Sequence, residues 1–523
     1  MAEHDASSSP SSFLPRDPIK ASVVTSAAHK RRQHAVTIGK ERREALIRTK
    51  RLCRVGVSGD IGDSLEGSMI IDEEKSTLDT QALQLVESLK SAVYLHGKGA
   101  AQKKGEILRD LRRLLSKSDA PPIDAAIHAG AIPVLVQCLH FGTPDEQLLE
   151  AAWCLTNIAA GESEATKSLL PALPLLIAHL GEKSSLPVAE QCAWALGNVA
   201  GEGEELRSVL LAQGALLPLA RLMLSNKSST ARTAAWALSN MIKGPDPKAT
   251  TELIKVEGVS DAIVRHLKKG DDELATEVAW VVVYLSALSE IAVRLMVKSN
   301  IIELLVGRLT ASESLPLLIP VLRSLGNIVA ADASITDNIL RVGKDITDCA
   351  VSSLVKCMNN ENRVLKKEAA WVISNLAASS VEHKRLIYAS EATPLLINFL
   401  LSAPFDVRKE AAYALGNLCV APTETVGHSN IILDHLVSIV HQGCLPGIIN
   451  LLKSPDMESA RLGLQFLELV LRGMPNGEGP KLVEREDGIA AMEIFQFHEN
   501  EFMRNMANEL VDKYFGEDYG LDD

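Results

Sequence analysis

The sequence predicts an all-α fold, one helical solenoid carrying a flexible basic arm at its N-terminal end, and three observations predict it. One helical segment recurs at intervals of 41 to 48 residues, with Trp153, Trp194, Trp236, Trp280, Arg323, Trp371 and Tyr413 at the same place in successive copies. Six of these seven copies have an asparagine four residues later: Asn157, Asn198, Asn240, Asn327, Asn375 and Asn417. Apolar residues make up 46% of the chain but aromatics only 4%, a core of Leu, Ile, Val and Ala as helix-on-helix packing prefers. A period in the low forties without strand signals is the pattern of stacked helical repeats. A chain of 523 residues can then be one continuous object, because each repeat contacts only its neighbours.

The elements follow in chain order. Residues 1–28 are rich in Ser and Pro and too polar to bury a core, so they read as disordered. Residues 29–55 hold Lys30, Arg31, Arg32, Lys40, Arg42, Arg43, Arg48, Lys50, Arg51 and Arg54 against only Glu41 and Glu44, a local balance of +8. The whole chain carries −12, so the remainder carries −20, and the arm is drawn to the body or to an acidic partner. Helix formers from Glu41 to Arg51 suit a segment that folds on binding. Residues 56–82, with their Gly, Ser and Asp, read as a flexible linker; residues 83–516 as the repeat array; residues 517–523 as an acidic tail.

Within the array each unit is expected to contain a middle helix with proline in its first turn, as at Pro133, Pro174, Pro218, Pro394 and Pro446, where the amide has no helical partner to lose. The Trp-bearing helix follows, with Ala151, Ala152, Ala193, Ala235, Ala369 and Ala370 allowing close approach of its neighbours. Gly161, Gly201 and Gly244, three or four residues past the asparagine position, are expected to end these helices in the left-handed conformation.

Four residues is about one helical turn, so each aromatic and its asparagine emerge from one face, and stacking turns both into rows. Indoles separated by gaps make slots for the stem of a lysine or arginine, each ring attracting the cation by roughly 0.5–2 kcal/mol. A carboxamide both donates and accepts, so an outward-facing asparagine row suits the main chain of an extended peptide. Acids supply the charge: Glu150, Glu277, Glu368 and Glu410 stand three residues before the aromatic position, and Glu190 and Glu202 flank Trp194.

Other classes fit poorly. There is no HExxH, GxSxG or P-loop motif, and the one phosphate-loop lookalike, GEGEEL after Trp194, carries three acids. Eight scattered cysteines without a CxxC pair argue for free thiols in a reducing compartment, with no metal and no cofactor. No apolar run approaches the roughly 20 residues of a membrane span, and an acidic array does not suit a phosphate backbone, so neither membrane insertion nor direct nucleic-acid binding is expected.

From Lys30 to Gly516 the chain resembles importin-α, the armadillo-repeat adaptor of nuclear import. The resemblance rests on WALGNVAGEG, WALSNM, SLGNIVA, PPIDAAIHAGAIP and the closing HENEFMRNMANELVDKYFGED. It implies a right-handed α-solenoid of about ten armadillo repeats that shuttles between cytoplasm and nucleus. It further implies a major groove for basic localisation signals on Trp153/Asn157, Trp194/Asn198 and Trp236/Asn240, with Glu190 and Glu277. Its pocket for the key lysine would use Gly161, Thr166 and Glu202, where the family usually has aspartate at the last position. A minor groove would use Arg323/Asn327, Trp371/Asn375 and Tyr413/Asn417 with Glu368 and Glu410; Tyr413 replaces the family's usual tryptophan. The implied partners are basic cargo proteins, importin-β bound by the arm with the nuclear pore reached through it, and an export receptor of the importin-β superfamily. The rival is an armadillo scaffold of the β-catenin kind, whose groove binds acidic partners through Lys and Arg rows, whereas these rows are Trp, Asn and Glu.

Overall fold

The computed structural model describes residues 68–95, 98–117, 121–244, 246–331, 344–420 and 429–516, and every regular element among them is helical. The basic arm and the acidic tail lie outside the described residues. Two compact units are formed, an N-terminal one that runs to Arg308 and includes Ser312–Ser324, and a C-terminal one that takes Leu309–Ala311 and continues from Leu325.

In each unit the repeat is two short helices followed by a longer one. Ile123–His128, Ala131–Cys138 and Asp145–Ile158 form one such triplet, and Val381–Tyr388, Ala392–Ser402 and Phe405–Leu418 another. The long helices are numbered here: α1 Lys98–Leu115, α2 Asp145–Ile158, α3 Leu186–Glu202, α4 Ser228–Ile242, α5 Asp272–Leu288, α6 Leu315–Ala331, α7 Arg363–Ala377, α8 Phe405–Leu418 and α9 Met457–Gly473; the recurring position falls on α2 to α8, an aromatic on each but α6, which has Arg323. In the N-terminal unit α1 packs on α2, α2 on α3, α3 on α4 and α4 on α5; in the C-terminal unit α7 packs on α8 and α8 on α9. The alanines expected at these contacts, Ala151, Ala152, Ala193, Ala235, Ala369 and Ala370, are all fully buried. The five prolines fall in the first turn of the middle helices.

Two expectations are corrected. The array begins before residue 83: a helix spans Ser68–Val93, and Leu78 and Ala82, placed in the linker by composition, are buried in it. Its Gly-poor sequence from Met69 onward has the apolar positions a packed helix needs, which the neighbouring Gly/Ser run obscured. Nor are Gly161, Gly201 and Gly244 left-handed helix ends. Left-handed glycines instead occur at Gly130, Gly214, Gly258 and Gly443, each just before a middle helix, where the chain turns sharply between the two short helices.

Buried histidines join neighbouring repeats. In the N-terminal unit His266 Nε2 lies 2.9 Å from the Met223 carbonyl; in the C-terminal unit the His435 ring stacks on Tyr388 with centroids 4.0 Å apart. Burial pulls both imidazoles below the usual histidine range. The unfolded chain therefore takes up protons at a higher pH than the folded one. Stability falls as pH drops from about 6.5 to the depressed folded values, then levels off. Urea denaturation followed by fluorescence between about pH 8 and 5 should show a declining midpoint, and the decline should be smaller in His266→Gln.

Candidate functional site

The asparagine row is built into the packing between long helices. Asn198 Nδ2 donates to the Thr156 carbonyl at 3.1 Å and Asn240 Nδ2 to the Gly197 carbonyl at 3.2 Å. In the C-terminal unit Asn375 donates to the Gly326 carbonyl and Asn417 to the Ser374 carbonyl, both at 2.9 Å. In each case the acceptor is the residue just before the asparagine position of the previous repeat. The first repeat varies this: Asn157 Nδ2 donates to Ser116 Oγ at 2.8 Å and to the Arg112 carbonyl at 3.4 Å. These five asparagines are 0–7% exposed. The expectation of freely outward carboxamides is thus corrected. A helix carbonyl has a second lone pair, and one amide N–H per repeat uses it to tie adjacent helices. The acceptor end is differently placed: Asn198 Oδ1 and Asn417 Oδ1 have no protein partner, and Asn240 Oδ1 receives Lys243 Nζ at 3.1 Å.

The indoles pack with this row. A Cβ added to Gly197 would strike the Trp236 ring, and one added to Gly326 the Trp371 ring, so the glycines of the Gly197-Asn198 and Gly326-Asn327 pairs are the seats of the next repeat's tryptophan. Trp236, Trp280, Trp371 and Tyr413 are largely buried, while Trp153 and Trp194 stay half-exposed. Packing and surface therefore share these rings, and the exposed indole faces lie on α2 and α3.

Charges are arranged unevenly along the N-terminal unit. Arg112 on α1 lies over the Trp153 ring, 4.4 Å from its centroid, and its Nε meets Glu150 Oε2 at 2.5 Å. One face of Trp153 thus holds an arginine of the chain itself, with the geometry expected for a cationic ligand between indole and acid. Glu190 is turned toward the start of α4, where Lys227, Ser229 and Thr230 reach it at 3.3, 3.2 and 3.1 Å. The residue in frame with Glu150 and Glu277 is instead Gln191, which donates to Thr156 Oγ1 at 2.8 Å. Gln191 stands in that frame, three residues before Trp194, and the acid Glu190 lies one position outside it. Glu277 is buried on α5 and Glu202 half-buried at the end of α3. Gly161 and Thr166 follow α2, and the buried Thr166 hydroxyl donates to the Ala159 carbonyl at 3.2 Å. Arg323 places its guanidinium over the Trp280 ring at 5.5 Å, and Tyr284, at the asparagine position of that repeat, lies 6.3 Å from the same ring.

In the C-terminal unit Asn327 is half-buried on α6, and Trp371 with Glu368 lies on α7. Lys367 Nζ is 3.9 Å from Glu368. On α8 Glu410 is half-buried, and the Tyr413 hydroxyl donates to Glu458 Oε1 of α9 at 2.8 Å. Burial and that carboxylate push the phenol well above its usual range. Lys409 Nζ meets Asp456 at 2.8 Å and Glu458 at 2.6 Å. Arg112, Gln191, Lys409 and Glu458 had not been singled out in the sequence.

Triplets of helices stacked through their long third members define an armadillo-type repeat protein. The Armadillo/beta-catenin-like repeat family matches residues 119–160 and 380–420, and the HEAT-like repeat family matches residues 145–199 and 187–241. Importin subunit alpha-9 of Arabidopsis thaliana is 65% identical over 97% of this chain and 98% of its own length. Importin subunit alpha-2 of Oryza sativa subsp. japonica is 64% identical over the full length of both chains. Among solved structures, an engineered protein covers 82% of this chain, and 98% of its own, with a TM-score of 0.69 and 26% identity. The chain belongs to the importin-α family: it is an all-α solenoid and a nuclear import adaptor, not an enzyme.

Proposed function

We propose that this chain captures an extended Lys/Arg-rich localisation signal along Trp153/Asn157, Trp194/Asn198 and Trp236/Asn240, and links it to importin-β through residues 29–55. The observation that carries the reading is the α2–α4 ladder itself: half-exposed indoles at Trp153 and Trp194 beside a buried asparagine row, one of whose acceptor oxygens, Asn198 Oδ1, has no protein partner. An indole face attracts the stem and charge of a basic side chain, and a carboxamide oxygen accepts a peptide N–H whatever the side chain. Gly161, Thr166 and Glu202 supply the pocket for the key lysine, with Glu190 and Glu277 adding negative potential. The complex crosses the pore on importin-β, and an export receptor of the importin-β superfamily returns the adaptor to the cytoplasm. The test is fluorescence anisotropy with two labelled peptides, one lysine-rich and one acidic. Binding of the lysine-rich peptide alone supports the reading; preference for the acidic one supports a β-catenin-like scaffold instead. Pull-down of importin-β by residues 1–60 tests the second half.

In the arm, RTKRLCR has Thr49 interrupting its basic run, so competition by Lys50 and Arg51 for the cargo ladder is weak. Deleting residues 1–56 should change affinity for the lysine-rich peptide less than about threefold, or roughly 0.7 kcal/mol, at fixed salt. A gain of a hundredfold would show that the arm inhibits strongly.

A further inference from the structure

The residue just before the asparagine position of one repeat serves the next repeat twice. Its carbonyl accepts the next asparagine's amide, as at Thr156, Gly197, Gly326 and Ser374. Its side chain, or the lack of one, decides how the next aromatic can lie. At Gly197 and Gly326 a Cβ would strike the Trp236 and Trp371 rings, so both indoles rest directly on bare helix backbone. Ser239 and Ser374 hold the same place before Trp280 and Tyr413. Each folds its hydroxyl back onto its own helix, donating to the Trp236 carbonyl at 2.8 Å and the Trp371 carbonyl at 3.0 Å. These four rings, each preceded by a glycine or serine seat, are only 5–9% exposed.

Larger residues fill that place before the other two tryptophans. Ser116, which receives Asn157, takes the asparagine position ahead of α2, so the seat before Trp153 is Leu115; the seat before Trp194 is Thr156. Both seats are buried, 0% and 2% exposed. Thr156 is also fixed: its hydroxyl donates to the Ala152 carbonyl and accepts from Gln191 Nε2, both at 2.8 Å, which holds its methyl in one rotamer. A ring that meets a branched side chain cannot drop onto the helix behind it, because helix contacts are already close-packed. Trp153 and Trp194 are the two indoles that remain half-exposed. In the one other copy the seat is Val283, and the aromatic itself is replaced by Arg323.

We propose that Leu115 and Thr156 are positioning residues for cargo: the seat's size sets the depth of the next aromatic, and these two large seats hold Trp153 and Trp194 at the surface. There a lysine or arginine stem can lie on the indole and its charge can meet the ring face. The small seats let the later rings sink and commit them to packing between helices. Which indoles grip cargo is therefore decided one helix earlier than the indoles themselves, on α1 and α2, by side chains that touch no cargo. This role rests on the cargo reading above and deepens it.

The experiment uses the full chain with Thr156→Gly, which copies the seat at Gly197, and Thr156→Ser, which copies those at Ser239 and Ser374. Hydroxyl-radical footprinting, read at single residues by tandem mass spectrometry, reports the exposure of Trp194. Fluorescence anisotropy with a fluorescein-labelled five-lysine peptide reports the grip. In Thr156→Gly the Trp194 oxidation rate is expected to fall by about threefold or more and peptide affinity by about fivefold or more, while the Trp153 rate stays unchanged. Thr156→Ser should move both quantities the same way by about twofold or more, and Thr156→Val, which keeps the branched side chain without the hydroxyl, should stay closer to the wild type than that. If Thr156→Gly loses its helical signal by circular dichroism, Thr156→Ser decides by its own criterion. Unchanged Trp194 oxidation in the folded small-seat variants, or losses in Thr156→Val as large as theirs, overturns the proposal while leaving the cargo reading intact. A lowered Trp194 rate with unchanged affinity takes Trp194 out of the cargo site and overturns the positioning role of Thr156 with it. Failure of the wild type to bind the peptide overturns both.

Discussion

Replacing Trp194 and Asn198 together with alanine is expected to weaken binding of a lysine-rich peptide by more than tenfold, at least about 1.4 kcal/mol. Trp194 offers a half-exposed indole face, and Asn198 Oδ1 is a buried acceptor with no protein partner. The variant should also lose stability. Asn198 Nδ2 ties α3 to the Thr156 carbonyl of α2, and removing one such bond costs about 1 kcal/mol. Two measurements separate these effects: anisotropy titration for affinity, and urea denaturation followed by circular dichroism for the repeats. A variant that keeps its helical signal at the working temperature yet binds the peptide like the wild type would remove α3 from the site.

The second large effect concerns Gly197. Its missing side chain is the space filled by the Trp236 ring, with Ala237 Cα at 3.1 Å from where a Cβ would lie, so backbone as well as indole blocks any substituent. Gly197→Val should therefore push α4 away from α3, stretch the Asn240 bond to the Gly197 carbonyl and cost about 1–3 kcal/mol. Because each repeat relies on its neighbours, a lower urea midpoint should appear together with reduced peptide affinity. Gly203, with nothing within 4 Å of its Cβ position and an extended backbone, is the control: Gly203→Ala should leave both quantities nearly unchanged.

Much of this architecture was legible because period and helix signals agree over hundreds of residues. The spacing of the tryptophans, the prolines in middle-helix first turns and the alanines at contacts all describe one local rule repeated, and local rules are what a sequence states plainly. What the sequence hid is how side chains divide their bonding between fold and surface. An asparagine one turn after a tryptophan is as consistent with an outward carboxamide as with one laced to the preceding helix; only the position of the Thr156 and Gly197 carbonyls decides. The same holds for charge. Glu190 and Gln191 are adjacent, yet one turns to Lys227 and the other to Thr156. The bonding of Lys384 and Lys409 is set by partners distant in sequence, Asn417 for the first and Asp456 with Glu458 for the second, which no local pattern states. Turn chemistry was misassigned for a simpler reason. Glycine after a helix suggests a left-handed cap, but the sharp turns lie between the short helices, at Gly130, Gly214, Gly258 and Gly443.

The most direct test of the central claim, that the α2–α4 ladder grips cationic peptide, is photo-crosslinking of the full chain with a lysine-rich peptide bearing a benzophenone at its centre, mapped by mass spectrometry. Crosslinks concentrated between Trp153 and Asn240, and lost when unlabelled peptide is in excess, are the predicted result. Competable crosslinks confined to other segments, with none on α2, α3 or α4, would contradict it.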